Sequence, residues 1–270
     1  MPEAQAVIHQ FQLKRVESES DLFPVYESAD ARVGLVISGI GKVNAAAATA
    51  CLAASTARRE SGAVGWLNFG IAGCGDQIYG ETVLAGKVTD PGSERSWFPA
   101  ATWPKRLDPD RREVITVDRP VSDYPEDGAL VEMESAGYFP IALRSSSIEL
   151  VQVIKVISDD PDHSIEDINK KVVTGLCRAS LDSVAPWLVA FQELIELEDT
   201  RLRDPVFMKD WTDAIHFSVT QRHQLRRLLA EWAALSENEG LKPLPGLHDA
   251  RSALNEIRKS LTEVRNELSA

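Results

Sequence analysis

Cysteine is scarce in this chain of 270 residues: Cys51, Cys74 and Cys177 are the only three. The count is odd and none forms a C-x-x-C pair, so no disulfide framework is expected and a reduced, cytosolic setting fits. Long apolar runs are missing too. No stretch approaches the length of a membrane span, and no apolar segment follows a basic start, so neither a transmembrane helix nor a signal peptide is expected. Positive charge is in deficit, with 29 Lys and Arg against 41 Asp and Glu and a formal net charge of −12. That balance argues against a broad phosphate-backbone footprint and therefore against a nucleic-acid partner. It leaves room for a small anion bound locally at a helix N-terminus. Repeats and low-complexity segments are absent. What is present, 44% hydrophobic and 26% charged residues, describes a cytoplasmic globular protein with a sizeable core.

The first half alternates short apolar segments with a helix and glycine-bearing turns. Strands are expected at 32–38 (R-V-G-L-V-I-S), 64–69, 81–89, 113–117 and 149–158 (E-L-V-Q-V-I-K-V-I-S), and an Ala-rich helix at 42–59. Near-continuous apolar strands alternating with helices imply an α/β fold whose sheet is covered on both faces. Ser164, with Asp167 three residues on, predicts a capping box and a helix. Beyond about Ser180 the character changes. Segments 182–198, 220–235 and 248–268 read as helices, with L-K-P-L-P-G at 241–246 as a loop. The domain expectation is an α/β domain over 1–180 and a helical extension over 181–270.

Four segments could carry chemistry. Val131 to Tyr138 read V-E-M-E-S-A-G-Y, where an extended segment hands over to a helix. Glu132 and Glu134 project differently from a strand end, so one can face a pocket while the other ties down the backbone. Acids beside the soft side chain of Met133 suit the hydroxyls and flat underside of a ribose. The same residues also read as a helix start with acids in its first turn. Gly39-Ile-Gly41-Lys-Val follows a strand and opens the Ala-rich helix; it is neither a dinucleotide fingerprint nor a P-loop. G-I-A-G-C-G, Gly70 to Gly75, reads as a second glycine loop at a strand end, where ligands of α/β sheets gather. Ser158-Asp159-Asp160-Pro161-Asp162-His163 ends the last strand. An acid there could protonate a leaving group; Asp160, Asp162 and His163 could hold a metal, with plain turn chemistry as the stronger reading. His216 and His223 would share a helix face if that region is continuous. Arg222, Arg226 and Arg227 form a small basic cluster. Cys74 has no obvious activating partner.

Together S-G-I-G-K-V from Ser38, L-N-F-G-I-A-G from Leu67, V-E-M-E-S-A from Val131 and V-I-S-D from Val156 resemble the nucleoside phosphorylase and nucleosidase superfamily, especially the methylthioadenosine/S-adenosylhomocysteine nucleosidases. The match covers about residues 1 to 180. The resemblance implies a twisted mixed sheet, partly closed into a barrel and flanked by helices, that cleaves the N-glycosidic bond of a purine nucleoside or adenosyl metabolite without a cofactor or a metal. It gives Asp159 the role of proton donor to N7 of the leaving purine. Glu134 would hold ribose hydroxyls and Met133 would pack on the sugar. Glu132, Gly41, Gly70, Ile71 and Ala72 complete the substrate-binding set, with the backbone of Gly41, Ile71 and Ala72 beside the ribose or the nucleophile. The family opens with a strand whose end delivers a glutamate that orients the attacking water. This chain begins Met1-Pro2-Glu3-Ala4, about where that strand would end, so Glu3 is the candidate. Ile71 stands where the family tends to have Ser or Thr, and Tyr124, in V-S-D-Y-P, is the substitute for the aromatic group that stacks on the base. No Arg lies in either glycine loop and Lys42 is the nearest cation, so water is favoured over inorganic phosphate as nucleophile. The alternatives are a phosphate-dependent phosphorylase, transferring the glycosyl group to phosphate, and a degenerate member that binds a nucleoside or a protein partner without turnover. A homo-oligomer is the expected assembly.

Overall fold

The computed structural model describes residues 1–16, 22–57, 62–100, 107, 110–205, 207–236, 240–243 and 246–268. Positions 58 and 59 of the expected Ala-rich helix, and 244 and 245 of the expected loop, lie outside them. The chain divides into two compact units, Met1–Arg201 and Leu202–Ala270, so the division falls beyond the change of character at Ser180.

The first unit opens with helix α1 (Pro2–Gln10), where Pro2 fits the first turn because its missing N–H has no intrahelical partner there. Strands β1 (Lys14–Val16), β2 (Val25–Glu27) and β3 (Gly34–Val36) form a small antiparallel sheet. Helix α2 (Lys42–Ala57) follows. Then come β4 (Trp66–Cys74), β5 (Thr82–Asp90), β6 (Arg95–Trp97), β7 (Arg111–Thr116) and β8 (Leu130–Glu132). Helix α3 (Ser135–Ala142), β9 (Val151–Asp159), α4 (Lys170–Ser183) and α5 (Ala185–Leu202) complete the order. The main sheet runs β6-β5-β7-β8-β4-β9. It is mixed: β4 is parallel to β9 and antiparallel to β8, and β7 is parallel to both β5 and β8. Thr82–Leu84 of β5 also pair antiparallel with Ile154–Val156 of β9, so five strands close into a ring. The core includes Val83, Val88, Val114, Leu130, Phe139, Val153 and Ile157, all fully buried.

Three local expectations are corrected. The strand expected to stop at Phe69 continues through Gly70–Cys74, because β9 pairs with it from Trp66↔Val151 to Ala72↔Ile157 and again at Gly73↔Asp159. The glycines and Ala72 are strand residues, and a bulge follows Ala72. Ser164 caps only a short 3-10 turn, Ile165–Asp167, its hydroxyl accepting from the Glu166 N–H. Ile168 is extended, and Asn169 caps α4 by accepting from the Lys171 and Val172 N–H groups. His216 and His223 share no helix: Ser218, in a capping box with Gln221, starts α7 after His216. The strand pattern of the sequence gives no sign of α1; its alanines and Pro2 form a helix whose buried Ala4 and Ala6 face inward, and Ala6 packs with α4 residues Val173, Cys177 and Leu181.

The second unit consists of α6 (Met208–Ala214), α7 (Val219–Leu235) and α8 (Ala250–Leu268). Apolar residues at helical spacing on α8, among them Leu254, Ile257 and Leu261, pack with Leu225 and Leu229 of α7 and Trp211 of α6. No helix among the described residues is long and apolar enough to cross a membrane.

Candidate active site

The V-E-M-E segment leaves the sheet at the end of β8, and its two acids part company there. Glu132 is buried, 5% exposed. Its carboxylate accepts from Thr116 Oγ1 at 2.6 Å, the Glu134 N–H at 3.0 Å, the Ser135 N–H at 2.9 Å and Ser135 Oγ at 2.9 Å. It also pairs with Lys155 Nζ of β9 at 2.8 Å, with both side chains almost wholly buried. Burial pushes the Glu132 carboxyl up, but Lys155 and the hydroxyl donors outweigh it and hold the group below the ordinary range. Glu132 therefore ties down the backbone from which Glu134 and Met133 project. Met133 is half-buried.

Glu134 is the N-terminal cap residue of α3, and its Oε1 accepts from the Gly41 N–H at 2.8 Å. Two features bring that donor in. Gly39 and Gly41 have φ of +84° and +99°, a turn that disfavours any side chain. Gly137 of α3 lies directly against the Lys42 carbonyl of α2, leaving no room for a Cβ. Burial raises the Glu134 carboxyl above its usual range, and the charge of Lys155 and the Gly41 donor partly offset this. Lys42, first residue of α2, is itself held by Asp90 at 2.9 Å and Asp118 at 3.0 Å.

Asp159 ends β9 and is 4% exposed. Ser158 Oγ donates to its Oδ1 and the Tyr124 phenol to its Oδ2. Burial, then the Asp159 bond, pushes the Tyr124 phenol well above the ordinary range. A Cβ on Gly73 would collide with both Asp159 and the Tyr124 ring. A hollow of about 530 Å³ opens beside Tyr124, with Gly75, Pro125, Asp160, Asp162 and Ser164 in its walls; Gly41 and Glu134 are not among them. Asp160 is occupied with its own turn: it accepts from the N–H groups of Asp162, His163 and Tyr79 and from His163 Nδ1 at 2.8 Å. His163 stacks on Tyr79 with ring centroids 4.0 Å apart. Among the described residues no three His, Cys, Asp or Glu side chains are grouped as for a metal.

The remaining candidates lie along β4 and α1. Gly70 is buried, and a Cβ there would sit 3.5 Å from Lys155 Nζ. Ala72 is buried, its carbonyl oxygen 3.4 Å from Ser158 Oγ. Ile71 packs its side chain against the cluster of Ala6, Val173, Cys177 and Leu181. Glu3 sits in the first turn of α1, not at a strand end, with Oε2 buried and without a hydrogen-bond partner among the described residues. Burial first, and then the charge of Glu3, pushes the Cys177 thiol up to about 12. Lys155 is the participant that sequence reasoning passed over. Its only signal was a single cation inside an otherwise apolar strand. Cys74 is buried, and burial raises its thiol.

No family model matches the chain, and no curated protein matches it by sequence. Solved structures do. The 5′-methylthioadenosine/S-adenosylhomocysteine nucleosidase of Helicobacter pylori, with butyl-thio-DADMe-Immucillin-A, is 14% identical over 70% of this chain and 94% of its own, with a TM-score of 0.53. The 5′-methylthioadenosine nucleosidase of Arabidopsis thaliana, in apo form, is 17% identical over 71% and 92%, with a TM-score of 0.52. A futalosine hydrolase mutant of Helicobacter pylori is 13% identical over 70% and 95%, with a TM-score of 0.51. The likeness is one of fold, here a mixed central sheet flanked by helices.

Proposed function

We propose that this protein cleaves the N-glycosidic bond of a purine nucleoside or adenosyl metabolite, with water as the nucleophile. The observation that carries the reading is a pair of carboxylates presented by different elements: Glu134 on the Gly41 turn and Asp159 at the end of β9 beside a hollow. The reaction breaks the C1′–N9 bond, and its electron pair leaves with the base. Asp159, in its protonated form, supplies a proton to N7, so the purine departs neutral. Positive charge develops on the ribose, where the Glu134 carboxylate both accepts from the hydroxyls and stabilises the oxocarbenium-like transition state. Met133, next to Glu134, packs on the sugar; Gly70, Ile71 and Ala72 contribute backbone. Glu3 orients the water and takes its proton, a role supported by its buried, unpartnered Oε2.

Hydrolysis is favoured over phosphorolysis by charge. The cation at the glycine turn, Lys42, is already matched by Asp90 and Asp118, and Glu134 adds a negative charge beside Gly41. A phosphate dianion would meet little compensating charge there. The working protein is a homo-oligomer in this reading, because Ile40 and Val43, 64% and 83% exposed, flank Gly41 and a second copy would cover them.

The test is base release from a panel of purine nucleosides and adenosyl thioethers, with and without phosphate. Release without phosphate is expected, falling about 10²- to 10⁴-fold in Asp159→Asn. Release that depends on phosphate would make the protein a phosphorylase. Binding without any release would leave a nucleoside-binding protein.

A further inference from the structure

Tyr124 stands between the hollow and the acid. Tyr124 lines the hollow and Asp159 does not. The phenol donates to Oδ2 of Asp159 while Ser158 Oγ donates to Oδ1, so both oxygens are engaged and the carboxylate is buried. With Oδ2 accepting from the phenol and Oδ1 from Ser158, a base entering from the hollow meets Tyr124 before it meets Asp159. The phenol remains a donor at neutral pH, because burial and the neighbouring carboxylate oppose its ionisation.

The setting of Tyr124 suits exchange. It lies in the irregular connection between β7 and β8, whose ends are fixed by the Val117 N–H on the Glu132 carbonyl and by Arg112 Nη1 on the Gly128 carbonyl at 3.1 Å. Between those ties Ser122 to Glu126 form one wall of the hollow. Gly73 and Gly75 of the neighbouring segment provide the seat: a Cβ on Gly75 would meet the Pro125 carbonyl at 2.8 Å and Tyr124 Cβ at 3.3 Å, and one on Gly73 would strike the ring.

We propose that Tyr124 is a positioning residue that caps Asp159, and that a purine reaches the acid only by displacing the phenol. This rests on the nucleosidase reading above. The stacking role expected of Tyr124 gives way to a competitive one. The phenol keeps the buried carboxylate hydrogen-bonded until a base replaces it, and every ligand that engages Asp159 must first break that bond.

Tyr124→Phe keeps the ring and removes the competitor. Calorimetry with adenine as the probe should show binding about tenfold tighter than in the unaltered protein, the scale of a hydrogen bond to a charged group. Unchanged or weaker binding overturns displacement. An ultraviolet pH titration of the four tyrosines provides the second readout. In Asp159→Asn one tyrosine should ionise at lower pH than before; no change overturns the cap itself. If adenine binds neither protein yet the tyrosine shift is seen, the contact stands and the purine reading and displacement both fall.

Discussion

Every buried polar or charged side chain among the described residues, from Thr49 to Ser180, lies in residues 1–201. The interior of residues 202–270 is built from Met208, Trp211, Ile215, Phe217, leucines of α7 and α8, and their apolar neighbours. Charge follows the same line. Residues 202–270 contain ten acids and ten bases, so the formal net charge of −12 resides in residues 1–201. Helical packing can be satisfied by apolar residues alone. An ion pair such as Lys155–Glu132 must overcome the cost of removing both charges from water, and such a pair adds little to stability. Its presence marks the first unit as the one shaped by chemistry. The second unit shows what the same chain does when only packing is asked of it.

The largest effect should come from removing one partner of that pair. Lys155→Met leaves Glu132 charged and buried, and denaturant unfolding should show a loss of about 3–5 kcal/mol. Adding Glu132→Gln should restore much of it. A single-variant loss below about 1 kcal/mol would mean that the pair is not the organising contact of the first unit. Next in size is Ile257→Ala in the dry interior of α8, where Ile257 is fully buried. The cavity should cost about 2–5 kcal/mol, while base release stays unchanged at temperatures where the protein is folded. A fall in the catalytic rate under those conditions would break the division of labour between the units.

The smallest effect has the opposite sign. Burial raises the folded Glu134 carboxyl above its ordinary 4.5, so the folded state holds a proton that the unfolded state releases. Stability is therefore lost as pH rises from 4.5 through the raised folded value. Glu134→Gln removes that loss and keeps an oxygen for the Gly41 N–H. Melting curves should place the variant above the parent at pH 7 and level with it at pH 4, with base release reduced. An equal difference at both pH values would show that ionisation is not the cause.

Much of this was legible because short motifs sit where the backbone has few choices. V-E-M-E, the Gly39–Gly41 turn and the end of β9 could be placed from strand patterns and glycine positions, and the fold class followed from their order. Other features needed three dimensions. G-I-A-G-C reads as a loop until the unbroken partner β9 is seen beside it. Ser164 and Asn169 both look like caps; only Asn169 is followed by N–H groups arranged for a full helix. Glu132 and Glu134 are equivalent in one dimension, and Lys155 settles which of them turns inward. The Tyr124–Asp159 contact spans 35 positions and has no periodic signature at all.

The bulge between β4 and β9 sets the handedness of the site's charges. Gly70 faces Lys155 and Gly73 faces Asp159, and residues three apart on a strand look to opposite sides of a sheet. Lys155 and Asp159 are four apart, which in a regular strand would put them on one side. The ladder passes from Ala72↔Ile157 to Gly73↔Asp159 and skips Ser158. Ser158 thus works as a spacer, valuable for being counted as well as for its hydroxyl. Were Ser158 to take its own place in the ladder opposite Gly73, the ammonium and the acid would fall on the same side of the sheet.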